Sequence, residues 1–253
     1  MAASGIILAF HQSSDRHYPG VNNLKPGYFY AMLNLLKDWG FEFWNGQVPF
    51  ADATKCGLTV ITFDDGYEAN YDLLTVLCRD GIRPIVFVPS GFIGHLNSWD
   101  YSSWAFPARH LSADQIKHLS DLGAIFGSHG VSHRSLTAMP PSNARRELNE
   151  SKKEIEVTSG TTVDLLSFPF GRYNIELSQI AQELGYRHGL IIRDDFAGDE
   201  KDAFILPRVA IYGFDDFYSL RLKLCKISAL EHMKSGIIGR LAGGTIVLKS
   251  PLK

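Results

Sequence analysis

Seven short apolar runs recur along the chain, and their spacing constrains the fold more than any other feature of the sequence. They cover residues 6–10, 58–63, 84–88, 124–127, 163–168, 188–192 and 205–211. Each run is almost continuously apolar, as expected of strands in a parallel sheet that is buried on both faces. Because such strands alternate with helical segments here, the sequence predicts an α/β protein with an open or closed parallel sheet.

Amphipathic stretches separate these runs and are predicted to be helices. They cover residues 26–39, 68–79, 113–122, 142–158, 175–184 and 215–225. Ser112 followed by Gln115 matches a capping box, and four glycines stand where a C-terminal cap belongs: Gly81, Gly123, Gly160 and Gly185. Since no linker or repeat divides the chain, we predict one domain over residues 1–253, with a C-terminal extension at 224–253 whose role stays open.

Composition argues against several classes of protein. The net charge of −2 gives no electrostatic reason to bind nucleic acid or an anionic membrane surface. Cys56, Cys78 and Cys225 are an odd number without metal-like spacing, which favours a reducing compartment over a disulfide framework. No apolar run reaches the roughly 20 residues of a membrane span, and the first residues lack a secretion signal, so we expect a cytoplasmic protein.

Polar residues follow the predicted strands at the point where each strand ends. His11 follows the first run, Asp64 and Asp65 the second, His129 the fourth, and Pro169-Phe170-Gly171 the fifth. In a parallel barrel the functional groups collect at the C-terminal ends of the strands. These residues are therefore expected to meet on one rim.

The segment SHGVSH, residues 128–133, places His129 and His133 four positions apart. If this turn is helical, both imidazoles share a face and can bind one cation. A histidine pair alone is weak evidence, but the two acids on the same rim strengthen it. Two neutral imidazoles and one carboxylate leave coordination positions open for water and substrate, as hydrolytic zinc sites require.

Three segments now suggest a family. TFDDGYEANYDLL, GSHGVSHRSL and SFPFGRYN, in this order, resemble the motifs of the polysaccharide deacetylase (NodB-homology) family of carbohydrate esterases. The resemblance extends from about residue 5 to about residue 215. It implies a distorted (β/α)7 barrel that hydrolyses N- or O-acetyl groups on sugars with one divalent metal ion.

The resemblance also implies roles for individual residues. Asp65, His129 and His133 would hold the metal, and Asp64 would be the general base that deprotonates the attacking water. The main-chain N–H near Phe170 would stabilise the oxyanion, with Pro169 and Phe170 beside the substrate. Zinc is the expected metal, although this ligand set also suits cobalt, nickel and iron.

One departure from the family concerns the general acid. The Leu-x-His motif of the last strand reads GGTIVLKSP here, with Ser250 in place of histidine, and a serine hydroxyl is no general acid near neutral pH. The first run, IILAFH, ends in His11 and would neighbour the last strand in a closed barrel. Because some relatives that act on poly-N-acetylglucosamine resemble this permuted arrangement, we predict His11 as the general acid.

Three further departures concern other motifs of the family. Gly130 replaces the serine or threonine of the histidine motif, so a bracing hydroxyl is lost. Ser167 stands where the family has the arginine that orients the base. Arg208 and Arg172 are the candidate replacements, and either could instead be a surface salt-bridge partner. The family's Asp-Trp motif has no clear match.

The loop after the third run is rich in aromatic residues. It carries Phe92, Trp99, Tyr101, Trp104 and Phe106. Aromatic faces pack on the C–H faces of sugars, so Trp99, Tyr101 and Trp104 are predicted to bind substrate, although they could merely pin the loop to the barrel. This mixture favours a glycan that contains N-acetylhexosamine, such as an exopolysaccharide.

The leading hypothesis is a metal-dependent hydrolase that deacetylates such a glycan. One alternative is a deformylase or amidase that acts on a lipid-linked sugar or a small amide. Another is a sugar-binding protein without turnover, which the Ser250 departure favours and the retained Asp64 opposes. The oligomeric state is left open by the sequence.

Overall fold

The computed structural model describes residues 5–16, 21–99, 106–192 and 202–224. These residues form ten strands and seven α-helices. The strands are β1 (Ile7–Phe10), β2 (Gln12–Ser13), β3 (Asn23–Leu24), β4 (Glu42–Phe43), β5 (Leu58–Phe63), β6 (Ile85–Val88), β7 (Ile125–Ser128), β8 (Leu165–Ser167), β9 (His188–Ile192) and β10 (Ile205–Ala210). The helices are α1 (Pro26–Asp38), α2 (Phe50–Ala53), α3 (Tyr71–Arg79), α4 (Ala113–Asp121), α5 (Pro141–Ser159), α6 (Ile175–Glu183) and α7 (Phe217–Leu224).

Seven of the strands close into a parallel barrel. The order around the ring is β1, β10, β9, β8, β7, β6 and β5, and β5 pairs again with β1. The closure is a full strand pair, with Ile7 opposite Val60 and Phe10 opposite Phe63. β4 adds to β5 outside the ring, and β2 pairs with β3 in a separate two-stranded sheet. The expectation of a (β/α)7 barrel is confirmed, and each of the seven predicted strands is a strand of the barrel.

The predicted helices are present with small shifts at their ends. The segment predicted at 68–79 opens as a 3-10 turn, Glu68–Asn70, before α3 begins. Ser112 and Gln115 form the expected capping box at the start of α4. All four glycines predicted as caps have positive φ, the conformation that lets glycine end a helix. The short elements α2, β2, β3 and β4 were not predicted.

The barrel interior has an apolar floor below a polar upper layer. Side chains alternate along a strand, so every second residue faces inward. The floor is one buried cluster: Ile7, Trp44, Ala53, Val60, Ile85, Phe87, Leu165 and Leu190. The next inward-facing residues along the strands are Thr62, Ser167 and Arg208, and all three are buried. A larger apolar cluster packs the helices against the outside of the barrel, which holds the upper layer in a rigid frame.

Within the residues that the structure describes, no helix combines the length and the hydrophobicity that a membrane crossing requires.

Gly127 is a test of how tightly the barrel is packed. A Cβ added there would lie 2.5 Å from Cε1 of Phe87 and 3.0 Å from the carbonyl oxygen of Leu165. We therefore expect Gly127→Ala to lower the free energy of unfolding by about 1–3 kcal/mol, measured by urea denaturation. Gly27, in the first turn of α1, has open space around it, so Gly27→Ala should be neutral or stabilising by up to about 1 kcal/mol. Equal losses in both variants would contradict the packing described.

Candidate active site

Asp64 and Asp65 leave the end of β5 in different directions. Asp64 continues the inward alternation of Thr62 and is 2% exposed. Asp65 has a φ of 67° and is followed by Gly66 at 60°, so two consecutive left-handed residues turn the chain. Asp65 is 4% exposed and faces other partners. The backbone thus separates two adjacent carboxylates that would otherwise share one face.

Asp64 is held by Arg208 of β10, which is two strands away in the ring. Nη1 of Arg208 donates to Oδ1 of Asp64 at 2.8 Å, and Nη2 donates to Oδ2 at 2.7 Å. The same guanidinium donates to the hydroxyls of Thr62 at 2.9 Å and Ser167 at 2.7 Å. Its carbon lies 5.1 Å from the ring centroid of Phe87, on the apolar floor. This two-point contact fixes the orientation of the carboxylate.

The second candidate, Arg172, is exposed at the surface. Ser167 occupies the position where the family motif has arginine, and its short side chain accepts a hydrogen bond from Arg208 instead. The structure therefore brings Arg208, and not Arg172, to Asp64.

The charges around Asp64 keep it ionised. Burial favours the neutral form and would raise the pKa, but Arg208, His129 and His11 favour the carboxylate. The pKa of Asp64 consequently lies below its usual range, so the side chain is a carboxylate at neutral pH.

Asp65, His129 and His133 form a buried cluster whose ligand atoms lie within 4.8 Å of one another. Oδ1 of Asp65 is 3.1 Å from Nε2 of His133 and 3.5 Å from Nε2 of His129. Nδ1 of His129 lies 2.7 Å from the carbonyl oxygen of Ser167 and donates to it, which leaves the lone pair of Nε2 free toward Asp65. Oδ1 of Asp65 is buried and has no hydrogen-bond partner among the described residues. These donor atoms fit a divalent cation.

The protonation states of Asp65 and His129 agree with this fit. Burial lowers the pKa of His129 to about 4, although Asp64 and Asp65 favour its charged form, so the imidazole is neutral at neutral pH. For Asp65, burial would raise the pKa, but His133, His11 and His129 outweigh it and the pKa falls well below its usual range. Metal ligands must be deprotonated in this way before a cation binds.

The two histidines converge through an irregular turn, and the expectation of a helical turn was wrong. Gly130 has a φ of 74° and His133 a φ of 52°, values that a right-handed helix does not contain. The ring centroids of His129 and His133 are nevertheless 4.9 Å apart. The hydroxyl of Ser128 accepts a hydrogen bond from the N–H of Gly130 at 3.2 Å. A left-handed glycine therefore bends the chain where the helix was expected.

Backbone strain concentrates at this site. Of the residues that the structure describes, three that are not glycine have positive φ: Asp65, His133 and Phe170. Phe170 lies in the 3-10 turn Pro169–Gly171 that follows β8, and its ring centroid is 5.1 Å from that of His133. Such conformations cost free energy and persist only where surrounding contacts enforce them, which is typical of functional sites.

His11 follows β1 directly and lies on the same rim. It is half-buried, and its Nδ1 is buried without a hydrogen-bond partner in the described parts of the chain. The amide of Asn70 donates to the carbonyl oxygen of His11 at 2.7 Å and accepts from the N–H of Ser13 at 2.7 Å, which fixes the end of the strand. The influence of His11 on the pKa of both Asp64 and Asp65 reflects its proximity to them.

Trp99 from the loop after β6 packs on the cluster. Its ring stacks on His133 with centroids 4.2 Å apart and planes inclined by 18°. Trp99 also packs edge-on against Phe92. Tyr101, Trp104 and Ser250 lie outside the described residues.

His110 is a member of the site that the sequence did not reveal. It is completely buried, its Nδ1 lies 2.6 Å from the main-chain oxygen of Asp65, and its ring packs against Trp99. The contact holds the left-handed residue Asp65 from the main-chain side. A single histidine in a loop has no spacing signal, so no pattern in the sequence could have identified it.

Removing Arg208 should show how much the site depends on the ion pair. Arg208→Met leaves the charge of Asp64 buried without its partner, and we expect the free energy of unfolding to fall by about 3–5 kcal/mol. Adding Asp64→Asn in the same chain should recover part of that loss, as measured by denaturant unfolding in a double-mutant cycle. Arg172→Met, the control at an exposed position, should change stability by less than about 0.5 kcal/mol. Additive effects of the two site substitutions would contradict the coupling.

Two known proteins are similar to part of this chain in sequence. The chain is 31% identical over 158 residues to YxkH of Bacillus subtilis, which its name assigns to the polysaccharide deacetylases, covering 62% of this chain and 52% of that protein. A chitin deacetylase from Arthroderma benhamiae is 26% identical over 147 residues, or 56% of this chain and 36% of that protein. The chain thus spans about half the length of these relatives or less.

Solved structures show the same fold at low sequence identity. IcaB from Ammonifex degensii has a TM-score of 0.72 at 19% identity, covering 88% of this chain and 97% of that one. The deacetylase PplD from Streptococcus pyogenes has a TM-score of 0.70 at 21% identity, covering 88% and 99%. The family model for polysaccharide deacetylase matches residues 51–189, more than half of the chain. The chain therefore belongs to the polysaccharide deacetylase (NodB-homology) family.

Proposed function

We propose that this protein is a metal-dependent hydrolase that removes acetyl groups from a glycan containing N-acetylhexosamine. The observation that carries the proposal is the pairing of two buried carboxylates with different partners. Asp65 faces the imidazoles of His129 and His133, and Asp64 is ionised beside them and paired with Arg208. A binding protein without turnover has no need of the second carboxylate.

Asp65, His129 and His133 would hold the metal, and zinc suits this set, as do cobalt, nickel and iron. When bound, the cation would polarise the acetyl carbonyl and increase the acidity of the attacking water.

Asp64 accepts the proton of the attacking water in this proposal. Arg208 donates to each carboxylate oxygen, and the Ser167 hydroxyl donates to Oδ2 at 3.4 Å. Because a carboxylate has about four acceptor sites, capacity for a water molecule remains. The low pKa keeps Asp64 ready as an acceptor at neutral pH. Arg208 acts through Asp64 and is a positioning residue.

The remaining steps use Phe170 and His11. The water oxygen bonds to the acetyl carbon, and the main-chain N–H near Phe170, in the loop after β8, donates to the oxyanion that forms. The C–N bond then breaks, acetate leaves, and protonated His11 gives its proton to the amine nitrogen. His11 is assigned this role because it is on the rim next to both acids.

Aromatic contacts support a sugar substrate. Trp99, which is partly exposed and stacks on His133, offers an apolar surface at the edge of the site, and Phe170 of the 3-10 turn Pro169–Gly171 packs against the same histidine. Relatives named as a chitin deacetylase and as the peptidoglycan N-acetylmuramic acid deacetylase PdaA of Bacillus subtilis favour an acetylated glycan for this chain.

Chelation should abolish turnover. Acetate release from a chito-oligosaccharide, measured by an enzyme-coupled assay, should disappear after dialysis against a chelator and return on adding zinc or cobalt. Asp65→Asn should show neither activity nor restoration, because it removes the charged ligand. Full acetate release by the metal-free protein would refute the metal-dependent mechanism. Metal binding without acetate release from any acetylated glycan would refute the substrate class.

His11→Ala should slow the hydrolysis of the amide by about 10²-fold or more, the usual value of a positioned acid. On 4-nitrophenyl acetate the same variant should keep most of its rate, since 4-nitrophenolate leaves without being protonated. His118→Ala, on the exposed side of α4 and bonded to Tyr71, is the control and should leave both rates unchanged. Equal losses on amide and ester would remove His11 from the role of general acid.

A further inference from the structure

We propose that Glu147 is a positioning residue that holds His133 in the geometry needed to bind the metal. The inference rests on the proposed function, since it concerns the affinity of the same cluster for its cation. Glu147 belongs to α5, and within the described residues its hydrogen bonds go to main-chain N–H groups rather than to Asp65, His129 or His133. It acts on the main chain of the turn that carries both histidines.

One carboxylate oxygen of Glu147 organises this turn. Oε2 accepts hydrogen bonds from the N–H groups of Val131 and Ser132, each at 2.9 Å. Both bonds are charge-assisted, and Ser132 is the residue immediately before His133. The carboxylate therefore fixes the peptide that leads into the left-handed conformation of His133.

The loop after β6 holds the opposite side of the turn. The N–H of Ser90 donates to the carbonyl oxygen of Gly130 at 3.0 Å, and the N–H of Gly91 donates to that of Val131 at 3.1 Å. These bonds satisfy carbonyl groups, whereas Glu147 satisfies N–H groups. The two contacts are thus complementary, and removing Glu147 releases the side of the turn nearest to His133.

α5 is a firm support for this contact. Ala144 and Leu148, on either side of Glu147, are fully buried in the main apolar cluster. Ser151, one turn further along, bonds to the hydroxyl of Ser128 at 2.8 Å. The helix is thereby tied to the end of β7, so the carboxylate of Glu147 is presented from a fixed position.

Gly130 and Glu147 fit one another. A Cβ at position 130 would lie 3.4 Å from Oε2 of Glu147, and the φ of 74° would strain any residue with a side chain. At that distance a Cβ would make an ordinary contact, so it is the left-handed φ that disfavours a serine or threonine at this position. The brace is supplied instead from α5, by a side chain 17 positions further along the sequence.

The test is the affinity of the metal-free protein for cobalt, measured by titration while following the absorption spectrum of the bound ion. We expect Glu147→Ala to raise the dissociation constant about 10- to 100-fold, the usual effect of losing a partner that orients metal ligands, and to change the spectrum. Glu147→Gln keeps an acceptor oxygen without the charge and should recover part of the affinity. Glu150→Ala, at an exposed position on the same helix, should bind like the wild type.

Wild-type affinity and spectrum in Glu147→Ala would overturn the inference while leaving the proposed function intact. So would a lower melting temperature with an unchanged cobalt spectrum, because that result assigns Glu147 to fold stability alone. If Glu147→Ala does not fold, the comparison of Glu147→Gln with the wild type decides in the same way. Failure of the wild type to bind cobalt would overturn the proposed function itself, independently of Glu147.

Discussion

Two ionised carboxylates are buried side by side at the end of β5, and the rest of the site follows from the need to compensate both charges. Asp64 has Arg208, whose guanidinium contacts both of its oxygens. The nearest groups to Asp65 are imidazoles, and His129, with a pKa of about 4, contributes no charge at neutral pH. A bound cation would compensate the second carboxylate, because desolvated charges of the same sign repel strongly unless each has a counter-charge.

The closed barrel makes this arrangement possible. Arg208 and Asp64 are 144 positions apart in sequence, yet β1 alone separates their strands in the ring. The guanidinium lies above Phe87, so the apolar floor excludes water from beneath the ion pair. Left-handed residues at Asp65, His133 and Phe170 then direct groups from three different loops to one point. The strain of these residues is offset by the rigidity of the frame that holds them.

The sequence predicted the parts of this structure that repeat and missed those that depend on single contacts. Seven apolar runs indicated seven strands, and parallel pairing placed the residues after them on one rim. The sequence could not predict which of Arg208 and Arg172 reaches Asp64, because this depends on which side chains of β10 face the interior of the barrel. Gly130 could have been read as a sign against a helical turn. His110 and Glu147 contact main-chain groups, and such contacts cannot be predicted from the spacing of residue types in the sequence.

The proposed mechanism requires that Asp65, His129 and His133 bind one divalent cation beside Asp64. Anomalous diffraction from crystals grown with zinc, with data on both sides of the zinc absorption edge, tests it most directly. We expect one strong peak at about 2.0–2.2 Å from a carboxylate oxygen of Asp65 and from Nε2 of both histidines, with Asp64 still bound to Arg208. A peak elsewhere with this cluster empty, or a metal that takes Asp64 as a ligand and displaces Arg208, would contradict it.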